Sequence, residues 1–575
     1  MHLYLVKYGR LPGEMTKREG GGRWIRKREK PGKNGRVGSS DRMAPWLLPV
    51  LLSPVYFLSL LVISCPACHG GKILLVPIEG SHWVNMEILI GALHNQGHSI
   101  TMVRSTKSWY IKADSPYYDS VTVSVDKGFN EEFVKPFLVQ IMEIERGSRS
   151  FIDFIHFQLL FSLALYRLHD ISCHMAASMF EDRALMRHLN ESQFDLVLTD
   201  PSSAEGILLA HYLKLPLVHN ARWLTSTEGH FSLAPSPVSY IPVTGSGLSD
   251  KMTFLQRVKN MLFYLLMQFQ LRFLIHAQYQ AICDKYFEHE VDYSQIVKAA
   301  DLWLMRVDFV FEFPRPTMPN IVYIGGFQCK PAKPLPQDLE DFVQSSGDHG
   351  VILMSLGTLV SAISGDIAKD IAAAFAELPQ KVIWRHVGER PSTLGNNTLL
   401  VKWMPQNDLL GHPKIRAFVA HGGTNGLQEA IYHGVPVVGI PVFFDQYDNL
   451  FRLKERGGAK VFSIAAINKN TFLQGLQEVL HEPSYRENMQ RLSRLHRDQP
   501  MKPLDRALFW IEFVMRHKGA AHLRTESYKM PWYAYHSVDV VLFLLVVTLS
   551  FMYIVVYGIK VFCCRVCLRR KIKHE

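Results

Sequence analysis

The chain has 575 residues, 48% of them hydrophobic, enough to fill two or three cores rather than one. Its formal net charge of +11 sits at the two ends: residues 1–42 are net +8 and residues 560–575 net +5, so the long body between them is slightly acidic. That distribution removes the electrostatic footprint of a nucleic-acid binder, and three body cysteines (Cys173, Cys283, Cys329) are too few for a disulfide scaffold.

In chain order, residues 1–42 read as a basic, Gly-rich N-terminal extension, and Met43 is a candidate start. Residues 43–69 have the layout of a secretory signal peptide: an uncharged apolar core, then small residues. "KILLVP" (72–77) predicts a buried strand. "SHWVNMEILIGALHNQG" (81–97) predicts a helix with Met86, Ile90 and Leu93 on one face, and "HSITMV" (98–103) the next strand. This βαβ opening predicts a doubly wound parallel sheet. Residues 133–185 and 251–290 read as helical and rich in aromatic and Leu positions. "FDLVLTD" (194–200) is a strand ending in a carboxylate. Asn190 and Asn396 match the glycosylation acceptor pattern.

A Pro- and Gly-rich stretch at 319–339 reads as a linker between residues 70–318 and 340–530. The alternation then restarts: strand (350–357), helix (366–378), strands at 381–387, 398–403 and 416–420, helix (425–434), strand (435–441), helix (445–458). The expectation is an α/β chain of two Rossmann-like domains facing a cleft, with ligands beyond the carboxyl ends of the strands. Residues 538–559 predict a transmembrane helix, since Val540–Ile559 is uncharged and long enough to span a bilayer. The basic tail 560–575 is then cytosolic and the body lumenal by the positive-inside rule. The terminal K-I-K-H-E is similar to a retrieval signal of the endoplasmic-reticulum membrane.

The chemistry concentrates at "HGGTNGLQEA" (421–430), a glycine turn between a strand and a helix. Gly422 and Gly423 let a backbone approach closely, and helix N–H groups favour an anion such as phosphate. His421 and Asn425 add donors, and Glu429 one turn on suits a ribose hydroxyl. The spacing G-G-x-x-G, with Gly426 third, is not the dinucleotide fingerprint, and no P-loop is present. Trp403 offers a stacking surface and Gln406 an amide for a base edge. Asp445 and Gln446 suit sugar hydroxyls. Ser355, Gly357 and Thr358 form a second small-residue turn that can reach a diphosphate.

The run Trp403–Gln446 resembles the donor-binding signature of the UDP-glycosyltransferases. With the leader and anchor, the chain is similar to the animal UDP-glucuronosyltransferases over about residues 72–575. "GSHW" (80–83), "WLMR" (303–306) and "FEFPRP" (311–316) extend the likeness, and Ala420, where the family more often has Thr, departs from it. The resemblance implies a glycosyltransferase B fold and transfer of glucuronic acid from UDP-glucuronate, as co-substrate, to a small lipophilic acceptor, with inversion. It implies neither metal nor further cofactor. Trp403 and Gln406 would hold uracil, Glu429 the ribose, and Ser355, His421, Gly423 and Asn425 the diphosphate. Asp445 and Gln446 would hold the sugar, and Arg306 phosphate or the sugar carboxylate. His82 would be the base and Asp200 its partner. Homo-oligomers are expected from the same resemblance. Use of UDP-glucose, UDP-galactose or UDP-N-acetylglucosamine stays open, and an inactive membrane partner is a remote alternative.

Overall fold

The structure, a computed structural model, describes residues 70–572 apart from 147–149, 225–226 and 358–364. The extension at 1–42, the leader at 43–69 and the last three residues therefore lie outside the described residues.

Two parallel sheets form the body. The first contains β1 (Lys72–Val76), β2 (Ser99–Ser105), β3 (Asp119–Val123), β4 (Leu196–Thr199), β5 (Leu217–Ala221), β6 (Leu302–Met305) and β7 (Ile321–Tyr323), in the order β3-β2-β1-β4-β5-β6-β7. The second contains β8 (Val351–Ser355), β9 (Lys381–Arg385), β10 (Thr398–Val401), β11 (Ile415–Ala420), β12 (Val437–Gly439) and β13 (Ala459–Val461), in the order β10-β9-β8-β11-β12-β13. Each sheet reverses its order beside its first strand, the crevice-forming topology of doubly wound folds.

The strand sequences explain their burial. Every residue of β4, β5, β6 and β8 is buried, as expected where helices cover both faces. Alternation within β1 sends Leu74 and Val76 to one core and Ile73 and Leu75 to the core on the opposite face. The second sheet divides in the same way, Ile352 and Met354 against Val351 and Leu353.

The helices that bear on the site are α1 (Ser81–Asn95), α2 (Glu131–Arg146), α3 (Phe151–Glu181), α4 (Glu205–Leu213), α5 (Phe254–Phe269), α6 (Thr424–His433) and α7 (Gln446–Glu455). Beyond them lie α8 (Pro503–His517) and α9 (Val538–Ile572). α3 starts at a capping box made by Ser150 and Asp153 and buries Leu165, His169, Ser172, Ala176 and Met179 along one stripe.

Two segments sit elsewhere than the sequence suggests. The Pro- and Gly-flanked stretch read as a linker contributes Ile321–Tyr323 to the first sheet as its edge strand. Three apolar residues between turn signals are long enough to pair but too short to show a period. Residues of α8, which follow the second sheet in sequence, return to the first: Ala507, Leu508, Ile511 and Val514 pack in the core that holds Ile73 and Leu75. α9 continues the uncharged run, and its side chains from Val540 to Ile559 are exposed.

Candidate active site

The first sheet delivers three charged or titratable side chains to one point. β1 pairs with β4 so that Val76 lies opposite Thr199, and β5 pairs with β6 so that Ala221 lies opposite Met305. The residues just past these ends are Asp200, Arg222 and Arg306. Gly80, at φ +72°, turns the chain from β1 into α1 and sets His82 on the first turn of that helix.

His82 Nδ1 lies 2.6 Å from Asp200 Oδ2. Asp200 is buried, and its other oxygen accepts from the Ser202 backbone N–H at 3.0 Å and hydroxyl at 2.8 Å. Burial alone would raise its carboxyl, but the His82 and Arg306 charges and these hydrogen bonds outweigh it and hold it at about 2. Arg306 Nη2 stands 3.2 Å from Asp200 Oδ2 and 3.2 Å from His82 Nδ1. A guanidinium only donates, so its partner is the carboxylate, and His82 keeps its Nδ1 proton for the same oxygen. Nε2 is then the ring's accepting nitrogen. Arg306 is buried against the dyad, with Nη2 on Asp200, and it also lines the cavity.

The second sheet supplies the facing wall. β8 pairs with β11 so that Ser355 lies opposite Ala420, and His421 follows. The glycines of the turn have clear local causes. A Cβ on Gly423 would lie 2.5 Å from the His421 ring, as would one on Gly357, where φ is +81°. On Gly422, at φ +95°, it would lie 2.7 Å from Leu450 and 2.8 Å from the Gln446 carbonyl. Gly422 therefore serves packing on α7, while Gly357 and Gly423 make the slot that seats His421. Burial pushes the His421 ring down to about 4, so it is a neutral donor rather than a cation.

Glu429 Oε2 accepts from Gln406 Nε2 at 2.7 Å. Burial pushes the Glu429 carboxyl up to about 7, against the pull of Gln406 and Lys330. Trp403 is 67% exposed, with the Arg385 guanidinium 5.7 Å from its ring centre. Asp445 Oδ2 accepts from Asn449 at 2.7 Å and burial raises its carboxyl. Gln446 Oε1 accepts from the Val442 and Phe443 N–H groups at 2.8 and 3.2 Å, so that oxygen is spent on holding the loop. Asn425 bridges the domains: its Oδ1 accepts from Asn85 at 3.0 Å and its Nδ2 donates to the Ser81 carbonyl at 3.4 Å. It is tied to α1 at the edge of the cavity that it lines.

One cavity of about 650 Å³ brings together His82, Arg306, Ser355, Gly357, Trp403, Gln406, His421, Gly423, Asn425, Gly426, Glu429, Asp445 and Gln446. Asp200 lies behind His82, and Thr358 lies outside the described residues. The volume suits a nucleotide sugar or a drug-sized molecule. Asn190 and Asn396 are both exposed.

Three contributors escape the sequence reading. Arg385 ends β9, donates to the Gly357 carbonyl and brings a cation to the cavity; its place at a strand's carboxyl end was the available signal. Phe444 holds a left-handed φ of +57°, rare for an aromatic residue, and its ring lies tilted against that of Phe161, centres 5.6 Å apart, across the cleft. Glu312 pairs with Arg222 at 2.6 Å and with Arg452 at 2.9 Å, and both arginines donate to Asn449 Oδ1. No sequence pattern announces that buried network, since its members are far apart in the chain.

A family model described as "UDP-glucoronosyl and UDP-glucosyl transferase" matches residues 71–574. The chain is 43% identical over 519 residues to UDP-glucuronosyltransferase 2B13 of Oryctolagus cuniculus, covering 88% of this chain and 96% of that protein. It is 40% identical over 525 residues to UDP-glucuronosyltransferase 2B17 of Homo sapiens, covering 89% and 97%. Among solved structures, the calicheamicin glycosyltransferase CalG4 aligns with a TM-score of 0.53 at 18% identity, over 78% of this chain and 98% of its own. The glycosyltransferase VinC in complex with DTDP aligns with a TM-score of 0.50 at 20% identity, over 78% and 100%. At such identities the structural likeness gives the fold alone, two facing α/β domains of the glycosyltransferase B type.

Proposed function

Because the chain belongs to the UDP-glucuronosyl and UDP-glucosyl transferase family, we propose that it transfers glucuronic acid from UDP-glucuronate to a hydroxyl, amine or carboxylate of small lipophilic acceptors. The observation that carries the mechanism is the His82–Asp200 pair at 2.6 Å, opening on the same cavity as the donor-side residues.

In this reading His82 Nε2 takes the acceptor's proton while the acceptor oxygen attacks C1 of the sugar. The C1–O bond to the diphosphate breaks, UDP leaves with the electron pair, and the anomeric centre inverts. Asp200 holds the tautomer and offsets the imidazolium charge as it forms. Arg306 acts as a positioning residue that keeps Asp200 ionised. Trp403 and Gln406 bind uracil, Glu429 the ribose, and Asp445 with the Gln446 amide the sugar hydroxyls. The diphosphate meets Ser355, the neutral His421 and the N-terminus of α6, with Arg385 of the same sheet supplying a positive charge beside the Gly357 turn.

We also assign the chain to the endoplasmic-reticulum membrane, with a lumenal body and α9 as a single anchor. Supporting this are the leader-like segment, the exposed apolar surface of α9 and the basic residues that end it. Exposed Phe151, Ile152 and Leu159 on α3 and Phe254, Leu255 and Leu262 on α5, with Arg257 and Lys259 among them, form a surface suited to the bilayer interface. Exposed Asn190 and Asn396 are the glycan sites this topology allows.

The test is donor use. Full-length chain in detergent-permeabilised membranes is given phenols and steroids with each of four UDP-sugars. Conjugation with UDP-glucuronate supports the reading. Conjugation with another UDP-sugar alone replaces glucuronate and keeps the chemistry.

A further inference from the structure

The cavity is also lined by α2 and α3, and this part of its wall is mostly apolar: Phe137 from α2 and Phe161, Leu165, Leu168 and Met175 from α3. Two side chains there break the pattern. His169 is fully buried and its Nδ1 lies 2.7 Å from the Tyr279 hydroxyl, yet its Nε2 has no hydrogen-bond partner among the described residues. Glu205, the first residue of α4, is 6% exposed, and its Oε2 is likewise unpartnered. Both line the cavity.

The electrostatics are unusual for a buried carboxyl. Burial raises Glu205; Ser203, its own backbone N–H and Ser172 act the other way, and no cation opposes the burial. Burial drives His169 down to about 3, so this ring is neutral and offers no charge. Nor do the other groups that face Glu205 offer one: the Tyr279 and Tyr293 phenols and the Cys173 thiol are all pushed up by burial and stay neutral. An unmet carboxyl oxygen in an apolar wall carries a desolvation cost that a ligand can recover. Its natural complement is a hydrogen-bond donor on an otherwise apolar molecule.

We propose that Glu205 and His169 form a polar subsite in this apolar part of the cavity, which binds a second hydroxyl or N–H remote from the group being conjugated. The proposal rests on the reading of the cavity as an acceptor site. It makes this transferase selective for apolar acceptors carrying two polar ends, one at His82 and the other at Glu205.

The test uses full-length chain and three rod-shaped acceptors that differ at one end: 4-phenylphenol, 4,4′-dihydroxybiphenyl and its mono-methyl ether. The dihydroxy compound is expected to exceed 4-phenylphenol in kcat/KM by roughly four- to twentyfold, twofold from its two equivalent reacting ends and the rest from one buried hydrogen bond. The ether, which accepts but cannot donate, gains less than the dihydroxy compound. Glu205→Leu reduces the dihydroxy preference to about the twofold set by its two equivalent reacting ends. A wild-type ratio of about two or less overturns the proposal, as does a Glu205→Leu variant that lowers both acceptors equally. If Glu205→Leu fails to fold, the same ratio is read on Glu205→Gln and His169→Phe. Equilibrium binding of the three biphenyls, followed by tryptophan quenching, gives the ratio without turnover. Absence of conjugation with any UDP-sugar would therefore sink the assigned reaction and leave the subsite to be decided by binding alone.

Discussion

At His82 the place of the ring proton is decided by Asp200, because a carboxylate at Nδ1 fixes the proton there and leaves Nε2 to accept. His82→Ala is expected to lower kcat by roughly 10²- to 10⁴-fold while UDP still binds, measured by calorimetry beside turnover. Asp200→Asn is expected to fall in the same range, since an amide can donate to Nδ1 and invert the tautomer; an unaltered kcat would remove the dyad from the mechanism. Asp200, held at about 2, stays ionised through the working range, so any acid limb between pH 5 and 8 arises elsewhere. Glu429 is a candidate for one, with its carboxyl at about 7. Ionised above that value and neutral below, it is the better acceptor for ribose hydroxyls when charged. UDP affinity should weaken as pH falls from 8 to 6, and Glu429→Gln should flatten the dependence. Trp403 is a surface ring with no core to lose. Trp403→Ala should raise the donor KM roughly 5- to 150-fold, from ~1–3 kcal/mol of base stacking, with Tm unchanged.

Elements matter here through where they end. The carboxyl ends of β4, β5, β6, β8, β9 and β11 carry Asp200, Arg222, Arg306, Ser355, Arg385 and His421, so strand register alone assembles most of the polar wall. The loop before α7 adds a strained step at Phe444, whose left-handed backbone persists because Gln446 Oε1 pins two neighbouring N–H groups. The two domains are joined by Glu312 between Arg222 and Arg452. Glu312→Gln leaves two buried guanidinium groups without their carboxylate, which costs about 3–5 kcal/mol in comparable cases. A marked fall in Tm is expected. A higher donor KM should accompany it, because Asn449 ties both arginines to Asp445. An unchanged Tm would mean that solvent or rearrangement replaces the carboxylate.

For the whole molecule, the return of α8 onto the first sheet couples the two domains a second time and sets the point from which α9 departs. The lipid contact proposed for the apolar faces of α3 and α5 can be tested apart from α9. A chain ending at Tyr535 should stay partly sedimentable with vesicles and be released by detergent. Replacing Phe254, Leu255 and Leu262 with serine in that shortened chain should free it. A shortened chain that is wholly soluble from the start would confine membrane attachment to α9.

The sequence by itself determined the doubly wound class, the exposed C-terminal apolar helix and many of the residues that line the cavity. Those features are written locally: buried parallel strands are short apolar runs, a span is a long one, and a glycine turn between strand and helix is contiguous. Only the tertiary structure decided what each side chain has left to offer. Arg306 and Asn425 read as donors, and the structure adds that register sets the first on Asp200 and that the second bonds α1 across the domains, both still lining the cavity. Arg385, Phe444 and the Glu312 network went unread because their meaning lies in partners dozens to hundreds of residues away. Glu205 is the sharpest case. In sequence it is one acidic residue at a helix start, where a charge is ordinary. Packing removes its water and supplies no cation, and that physical difference turns it from a helix-end residue into a candidate ligand group.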